Sequence, residues 1–434
     1  MDQPGSRSGF DSLDAWLAWL EGLSPAEIDL GLDRVLKVLR RLRLRVAARV
    51  IHIGGTNGKG SSAAMLESLL MSSGERVGSY TSPHLHRYNE RIRLNGAPVS
   101  DDTVVSAFGR VESARQETPL TYFEFGTLAA MVAFEESGVD SVILEVGMGG
   151  RLDAVNAVEP DAGIITNVSL DHCDWLGEDI ESIAAEKAGI FRPDKPFVFG
   201  ATDVPQAIVD AAEETGADLR LRGRDFDYQT ESGSRASWTW CGREHQIGTL
   251  AAPALAGQFQ IQNAAAVLAL LEAIGLDQLL DAPAINRAFG RIELAGRCQS
   301  FKSDRNWLLD VAHNADAANA LSEYIGGLGG AGSTIAVIGV LADKDIDGIV
   351  SPLAERVDSW VAVTANSPRA VAAGTLAARI ANLTDKPCLI GDDLPGAMRH
   401  ARGSAGDDDL ILVTGSFYMV GPALQWLTSE HPAR

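Results

Sequence analysis

Residues 54–62 combine several glycines with one lysine and three hydroxyl-bearing residues, and the sequence there reads Gly-Gly-Thr-Asn-Gly-Lys-Gly-Ser-Ser. A short apolar run at 50–53 precedes this stretch, and apolar residues recur at helical spacing over 63–71. The pattern predicts a strand, a loop and a helix. Backbone N–H groups of such a loop and of the helix start attract phosphate, and Lys59 can reach the terminal phosphates of a nucleotide. The stretch therefore predicts a phosphate-binding loop.

The spacing of this loop departs from the common P-loop pattern. Ile53 occupies the position of the first expected glycine, and Gly60 follows Lys59 where a serine or threonine is usual. A hydroxyl group comes one residue later, at Ser61. An ordinary glycine-rich turn therefore remains open as an alternative at this point.

Polar side chains also follow two apolar runs that read as buried strands. Glu145 interrupts the run at 141–146, and Asp171 and His172 come shortly after the run at 162–166. A carboxylate at the end of a buried strand is costly unless it is paired or binds a cation, which in nucleotide sites is usually magnesium. A structural role and a ligand role are both open for His172.

Four other segments carry polar or aromatic side chains whose role is either structural or functional. The loop at 81–91 is rich in His, Arg and hydroxyl groups, so it reads either as a binding loop or as a solvated connector. The segment at 27–34 reads first as a connector, and aromatic residues cluster at 122–125. Lys187 lies near the end of a predicted helix at 178–188, where a lysine usually interacts with the helix dipole and solvent.

Composition limits the class of protein. A chain of 434 residues with 46% hydrophobic residues is long enough for two or three domains with ample cores. The net charge of −21 argues against nucleic acid or an anionic membrane as a partner, so an anion site must concentrate its cations locally. The first residues do not resemble a signal peptide and no apolar run reaches a membrane-spanning length, which predicts a cytoplasmic protein. The four cysteines are far apart and indicate neither a disulfide framework nor a zinc site.

The order of predicted elements indicates an α/β protein with two doubly wound domains. Residues 1–292 form the first predicted domain, which contains the phosphate loop and a small antiparallel element at 228–247. Residues 293–434 form the second, with five or six βα units and no phosphate loop of its own. Polar side chains nevertheless follow its predicted strands, namely Asp310, His313, Asn314, Asp343, Lys344 and Ser416.

Six motifs occur in one order along nearly the whole chain, at 55–61, 82–85, 145–154, 171–177, 186–190 and 310–314. Together they resemble the dihydrofolate synthase and folylpolyglutamate synthase family, relatives of the Mur ligases. The unusual spacing of the phosphate loop is that family's own form of the loop. One departure is Ala295, which stands where the family usually has proline, whereas the following Arg297 is kept.

The resemblance implies an ATP-dependent ligase with an N-terminal ATP- and pterin-binding domain and a C-terminal glutamate-ligase domain. Such an enzyme adds L-glutamate to dihydropteroate and to reduced folates through an acyl phosphate. ATP and Mg²⁺ are the implied cofactors, with K⁺ as a further candidate. The implied partners are small molecules, without nucleic acid or membrane, and we expect a monomer.

The resemblance also assigns roles to residues. ATP binding is implied for Thr56, Asn57, Gly58, Lys59, Gly60, Ser61, Asn263, Arg297 and Asp310. The implied metal ligands are Ser82, Glu145 and His172. Pterin binding is implied for Asp29, Leu30, Gly31, Thr121, Tyr122, Phe123, Glu124, Leu152, Asp153 and Ala154, and Ser416 is placed near the incoming glutamate. The implied catalytic residues are Lys59, Lys187, His172 and His313.

Lys187 matches the lysine that the family carries as a carbamate. A carbamate is an anion that can bind a metal ion, so the resemblance reverses the first interpretation of this residue as solvent-facing. Two alternatives to the folate ligase stay open. A Mur-type cell-wall ligase is disfavoured because only about fifty residues precede Gly55. A non-catalytic nucleotide-binding module is disfavoured because Lys59, Glu145, His172 and Lys187 are all present.

Overall fold

The computed structural model describes residues 10–24, 29–46, 48–230, 237–329 and 332–430. The described residues form two compact units. The first unit draws on the segments 1–168, 181–251 and 263–289, and the second on 169–180, 252–262 and 290–434. No helix in the described ranges is long and apolar enough to cross a membrane.

The strands are β1 (Arg49–Gly54), β2 (Val77–Tyr80), β3 (Ile92–Leu94), β4 (Ala97–Pro98), β5 (Ser141–Glu145), β6 (Ala162–Ile165), β7 (Pro196–Phe199), β8 (Asp218–Leu221), β9 (Asp227–Thr230), β10 (Ser237–Cys241), β11 (Gln246–Ala251), β12 (Gln299–Lys302), β13 (Asn306–Leu309), β14 (Thr334–Ile338), β15 (Ser359–Ala362), β16 (Cys388–Ile390) and β17 (Leu410–Thr414).

The helices are α1 (Leu13–Glu21), α2 (Asp33–Leu42), α3 (Lys59–Ser72), α4 (Asp101–Arg115), α5 (Tyr122–Ser137), α6 (Cys173–Leu176), α7 (Ile180–Ala188), α8 (Gln206–Thr215), α9 (Phe259–Ala273), α10 (Ala282–Phe289), α11 (Ala315–Gly327), α12 (Ile346–Ala354), α13 (Ala373–Leu383), α14 (Leu394–Ser404) and α15 (Phe417–Glu430).

The large sheet of the first unit has eight strands in the order β4-β3-β2-β5-β1-β6-β7-β8. The six strands from β2 to β8 in this order run parallel, and β3 and β4 extend the β2 edge in antiparallel fashion. Every residue of β5 is buried, as expected for a parallel strand covered on both faces. Because β1 lies between β5 and β6, the loop that follows β1 emerges beside the ends of those two strands.

Helix α5 is positioned by specific local interactions. Thr121 Oγ1 accepts a hydrogen bond from the backbone N–H of Glu124, and Glu124 Oε2 accepts one from the N–H of Thr121, which makes a capping box. The helix ends at Gly138, whose φ of +59° favours glycine. Phe125 packs edge-on against Phe108, with ring centroids 5.3 Å apart. The capped start of α5 therefore has a fixed place in the core of this unit.

The second unit contains a six-stranded sheet in the order β12-β13-β17-β14-β15-β16. Five of its strands are parallel, and β12 pairs antiparallel with β13. The ends of β13, β17 and β14 are adjacent at the middle of this sheet. Ligands of open α/β sheets bind outside such carboxyl ends, so a binding site is expected at this edge of the sheet.

The predicted fold class is confirmed, with a mainly parallel sheet in each unit and a three-stranded antiparallel sheet, β11-β10-β9, as the small addition. Residues 231–236 of that predicted addition lie outside the described residues. Strands β3, β4 and β12 were not predicted, because runs of two to four residues carry too little periodicity. The division at 292/293 stays a prediction, and the compact units differ from it in grouping 169–180 and 252–262 with the later segment.

Candidate nucleotide and acceptor site

The loop between β1 and α3 has two positions that only glycine can occupy. Gly55 has a φ of +133°, and a Cβ atom there would collide with Thr166 Oγ1. Gly58 has a φ of +85°, and its Cβ atom would lie 2.6 Å from Asn263 Oδ1. Both backbone conformations are strained for residues with a side chain, so the glycines set the path of the loop.

Asn167 and Thr166, which follow β6, hold the loop in this path. Asn167 Oδ1 accepts hydrogen bonds from the backbone N–H groups of Thr56 and Asn57, at 3.2 and 2.9 Å. Thr166 Oγ1 donates to the carbonyl oxygen of Asn57, at 2.6 Å. Asn167 was not among the residues predicted for the site. Its position directly after a strand that neighbours β1 was the available indication.

Two lysine ammonium groups meet at the loop. Lys59 Nζ donates to the carbonyl oxygens of Gly55 and Thr56, each at 3.1 Å. Lys187 Nζ, from the last turn of α7, donates to the same oxygen of Gly55 at 3.0 Å, and its side chain is buried. The structure therefore brings together two predicted catalytic lysines. They concentrate positive charge at the start of α3 in a protein of strongly negative net charge.

Two of the three predicted metal ligands also lie together. Glu145 is the last residue of β5, only 4% exposed, and its Oε2 accepts a hydrogen bond of 3.0 Å from the backbone N–H of Ser82. This proximity follows from the sheet order, because β2 and β5 are neighbours. His172 belongs to the second unit.

The residues at this strand edge fit a magnesium ion. Among the described residues, no group of three or more His, Cys, Asp or Glu side chains could hold a metal ion. Magnesium is commonly bound through one or two carboxylates together with phosphate oxygens and water, rather than by a cage of protein ligands. The buried carboxylate of Glu145, with the hydroxyl of Ser82, is a donor set of that kind.

The three segments predicted to bind the pterin converge in the first unit. Arg34 forms a salt bridge of 2.8 Å with Asp29 Oδ2, and its Nε donates to Glu124 Oε1 at 3.1 Å. The backbone N–H of Gly31 donates to the carbonyl oxygen of Leu152 at 3.2 Å. Arg34 was not predicted as a site residue, although it lies only three residues after the Asp29–Gly31 segment. Because it contacts two of these segments, it positions them relative to each other.

Asp153 is a buried acid in the third of these segments. Its carboxylate accepts hydrogen bonds from the backbone N–H groups of Met148 and Val155, at 2.9 and 3.0 Å. Burial raises the pKa of Asp153 to about 6, even though these hydrogen bonds and the charge of Lys59 act in the opposite direction. Phe123 lies close to the loop before Asp153, because a Cβ atom at Gly147 would lie only 2.5 Å from its ring.

The second unit contains a cluster around Asp171. Lys344 Nζ lies 2.5 Å from Asp171 Oδ1, and Asn314 Nδ2 donates to Asp171 Oδ2 at 3.2 Å. His313 Nε2 and His172 Nε2 lie 3.6 and 3.9 Å from the same Oδ2. The structure thus brings together the two predicted catalytic histidines. Lys344, Asn314 and Asp171 were noted in the sequence without an assigned role.

Three further predicted residues lie in the second unit. Asp310 is buried, and its carboxylate accepts hydrogen bonds from the backbone N–H groups of Cys298 and Ala312, at 2.7 and 2.8 Å. Burial raises its pKa, against these hydrogen bonds and the charge of Arg297. The Arg297 guanidinium lies 5.0 Å from the ring centroid of Phe417. Ser416 Oγ is buried and has no hydrogen-bond partner among the described residues.

Comparison with known proteins gives a consistent result. Residues 53–271 match the Mur ligase middle domain, and residues 290–417 match the Mur ligase glutamate ligase domain. The chain is 40% identical over 414 residues to the dihydrofolate synthase/folylpolyglutamate synthase of Escherichia coli, and this match covers 95% of each chain. It is 35% identical over 353 residues to the Mycobacterium tuberculosis protein of the same name, covering 75% of this chain and 72% of that one.

Solved structures agree with the sequence relatives. Escherichia coli FolC in complex with DHPP and ADP has a TM-score of 0.91 and 39% identity, covering 99% of this chain and 100% of that chain. The Yersinia pestis bifunctional folylpolyglutamate synthase/dihydrofolate synthase complexed with AMPPNP and Mn ion has a TM-score of 0.89 and 40% identity, covering 98% and 100%.

Proposed function

Because the chain belongs to the dihydrofolate synthase/folylpolyglutamate synthase family of Mur ligases, we propose that it joins L-glutamate to dihydropteroate and to reduced folates while ATP is converted to ADP and phosphate. The convergence of Lys59 and Lys187 on the carbonyl oxygen of Gly55 is the observation that supports this proposal most directly. It places the Lys59 cation and the lysine proposed to be carbamylated at the same turn of the phosphate loop. The Mur-type cell-wall alternative is not favoured, since the full-length relatives are named for the folate reactions.

The first proposed step activates the acceptor. A carboxylate oxygen of the acceptor attacks the γ-phosphorus of ATP, the bond from that phosphorus to the bridging oxygen breaks, and ADP leaves with the electron pair. Negative charge spreads over the phosphoryl oxygens in such a transfer. The Lys59 ammonium group and the N–H groups at the start of α3 stabilise that charge from fixed positions, which needs little reorganisation.

The second proposed step forms the amide. The glutamate amine attacks the acyl carbon, the new C–N bond replaces the C–O bond to phosphate, and phosphate leaves with the electron pair while the amine loses a proton. His313 is the proposed base. The hydrogen bond of 2.8 Å from its Nδ1 to the carbonyl oxygen of Val311 fixes one proton on Nδ1, so the neutral ring takes the amine proton at Nε2. Nε2 lies 3.6 Å from Asp171 Oδ2, and the protonated ring then pairs with that carboxylate. Ser416, with its buried hydroxyl group, is the proposed contact for glutamate.

Other roles are proposed from the same family resemblance. Ser82, Glu145 and His172 would hold magnesium, which when bound neutralises phosphate charge. Lys187 would act as a carbamate. The remaining ATP contacts are assigned to Thr56, Asn57, Gly58, Gly60, Ser61, Asn263, Arg297 and Asp310, and the pterin contacts to Asp29–Gly31, Thr121–Glu124 and Leu152–Ala154. The convergence of these last three segments through Arg34 and Gly31 supports their assignment to one pocket.

We also propose that residues 1–292 bind ATP and the pterin, that residues 293–434 carry the glutamate-ligase function, and that the enzyme works as a cytoplasmic monomer. The strongly negative charge supports small-molecule substrates over nucleic acid or anionic lipid.

One assay tests the central proposal. Purified protein is offered Mg·ATP, L-glutamate and either dihydropteroate or tetrahydrofolate, and phosphate release is followed while the products are analysed by mass spectrometry. We expect release that needs all three substrates and a product that is heavier by one glutamyl residue. Nucleotide binding without phosphate release in the presence of either acceptor would contradict the proposal.

A further inference from the structure

Arg91 carries a positive charge that no carboxylate in the described part of the chain pairs with. Its Nε donates a hydrogen bond of 2.8 Å to His84 Nδ1. Its guanidinium lies 5.6 and 5.4 Å from the ring centroids of Tyr88 and Tyr122. Other arginines that are buried to a similar extent mostly form salt bridges with Asp or Glu. Arg34, which pairs with Asp29 and Glu124, is an example. A half-buried guanidinium without an anion is unusual, because desolvation of a charge is costly unless it is compensated.

His84 is oriented by Arg91. Because the guanidinium N–H donates to Nδ1, the neutral imidazole carries its proton on Nε2. The pair therefore presents donors only: the remaining N–H groups of the guanidinium and the Nε2–H of His84.

The surroundings of Arg91 belong to the proposed acceptor site. The backbone N–H of Thr81 donates to the carbonyl oxygen of Arg91 at 2.9 Å, which places Arg91 beside the residue before Ser82. On its other side, Tyr122 lies in the segment proposed to bind the pterin. The hydroxyl group of Tyr88 is buried in the same cluster and has no hydrogen-bond partner among the described residues. Within the described ranges, this cluster thus contains a cation that no carboxylate pairs with and a hydroxyl group without a hydrogen-bond partner, between two parts of the site.

We propose that Arg91, held in place by His84, binds the carboxylate of the acceptor substrate. A guanidinium presents parallel N–H donors that match the two oxygens of a carboxylate. Each carboxylate oxygen has more than one lone pair, so an oxygen that accepts a hydrogen bond from Arg91 keeps a lone pair for attack on the γ-phosphorus. This inference rests on the proposed function and identifies one recognition group within it.

The test compares the acceptor with its carboxamide. Binding of dihydropteroate and of dihydropteroate carboxamide is measured by calorimetry in the presence of Mg·ADP, where no turnover occurs. The wild-type protein should prefer the acid by at least tenfold, and Arg91→Met should bind the two compounds with nearly equal affinity. Arg87→Met is the matched control, since Arg87 is an exposed arginine of the same loop whose partner is Asp101 at 2.7 Å. The Arg87→Met variant should keep the preference for the acid over the carboxamide.

The outcomes separate recognition from structure. If Arg91 has a purely structural role, Arg91→Met should weaken the binding of both compounds equally and leave the ratio of their affinities unchanged. That result would overturn the inference. If circular dichroism shows that Arg91→Met does not fold, Arg91→Lys is used instead, because lysine keeps the charge but not the paired donors. Its preference for the acid over the carboxamide should fall several-fold. An unchanged preference would overturn the inference as well. A wild-type protein that binds neither compound would instead contradict the proposed function on which the inference rests.

Discussion

The ammonium group of Lys344 lies 2.5 Å from Asp171 Oδ1, and both side chains are more than nine-tenths buried. The same carboxylate accepts a hydrogen bond of 2.9 Å from the backbone N–H of His172, whose φ of +54° is uncommon for a residue with a side chain. Burial acts to raise the pKa of Asp171, but the hydrogen bond with His313 and the charges of His172 and Lys344 outweigh it, so the pKa lies below its usual range. Lys344 thus fixes the carboxylate that holds His172 in its strained conformation.

Replacement of Lys344 by methionine should therefore damage both stability and turnover. It leaves the Asp171 carboxylate buried with one cation fewer, which by analogy with broken buried ion pairs costs about 3 kcal/mol of unfolding free energy. We expect kcat for glutamate addition to fall at least tenfold, and urea unfolding to show the loss of stability. Lys386→Met is the control, because the Lys386 side chain of the same unit is 44% exposed and lies 3.5 Å from Asp358. Equal effects of the two substitutions would contradict this role of Lys344.

Gly58→Ala should weaken nucleotide binding. Its φ of +85° strains any side chain, and the new Cβ atom would lie 2.6 Å from Asn263 Oδ1, so the asparagine or the loop must move. Gly74→Ala is matched for backbone strain, since Gly74 has a φ of +88° with no atom within 4 Å of the added Cβ. Gly74→Ala should lose about 1 kcal/mol of unfolding free energy, and Gly58→Ala should lose at least as much because of the added contact with Asn263. Only Gly58→Ala should raise the Kd for ATP in calorimetry, and a similar rise for Gly74→Ala would show that strain alone is responsible.

The sequence predicted those parts of the fold and site that depend on local patterns. The phosphate loop is one continuous segment whose glycines and lysine are adjacent, so its strand–loop–helix form follows from its own residues. Glu145 was placed near a strand end by the apolar run that it interrupts, and Ser82 was placed in the polar loop at 81–91. The order of the strands brings them together, because β2 and β5 are neighbours, while their role as metal ligands stays a prediction.

Contacts between distant segments could not be predicted in this way. Arg34 and Glu124 are ninety residues apart, and only the packing of α2 and α5 brings the guanidinium to the carboxylate. The hydrogen bond from Arg91 to His84 depends on a loop whose composition suited a solvated connector equally well. No periodicity or residue spacing in the sequence indicates either pair, because tertiary structure alone determines which residues become partners.

Lys187→Ala should abolish glutamate addition. The Lys187 Nζ donates to the carbonyl oxygen of Gly55 at 3.0 Å from a buried position, so its removal takes away a charged group next to the phosphate loop. Carbamylation predicts in addition that the wild-type enzyme loses activity in CO₂-depleted buffer and recovers it with bicarbonate, and that ¹³C-bicarbonate gives a carbamate signal in carbon NMR. Lys195→Ala is the control, as Lys195 is partly exposed and paired with Asp161 at 2.9 Å. Full activity of Lys187→Ala would refute the role, and a wild-type enzyme indifferent to CO₂ would refute the carbamate.

Asp153 should make the stability of the protein depend on pH in a direction opposite to that of a salt-bridged acid. Burial raises its pKa to about 6 from the usual 3.8, so the folded state binds this proton more tightly than the unfolded chain does. The stabilisation from protonation is complete below the unfolded pKa and is lost as the pH rises through about 6. The unfolding free energy of the wild type, relative to Asp153→Asn, should therefore increase by roughly 1.4 kcal/mol between pH 7.5 and pH 5. Urea unfolding at both pH values measures this change, with the exposed Asp203→Asn as the control. Parallel pH dependences of the wild type and Asp153→Asn would show that Asp153 titrates alike in both states.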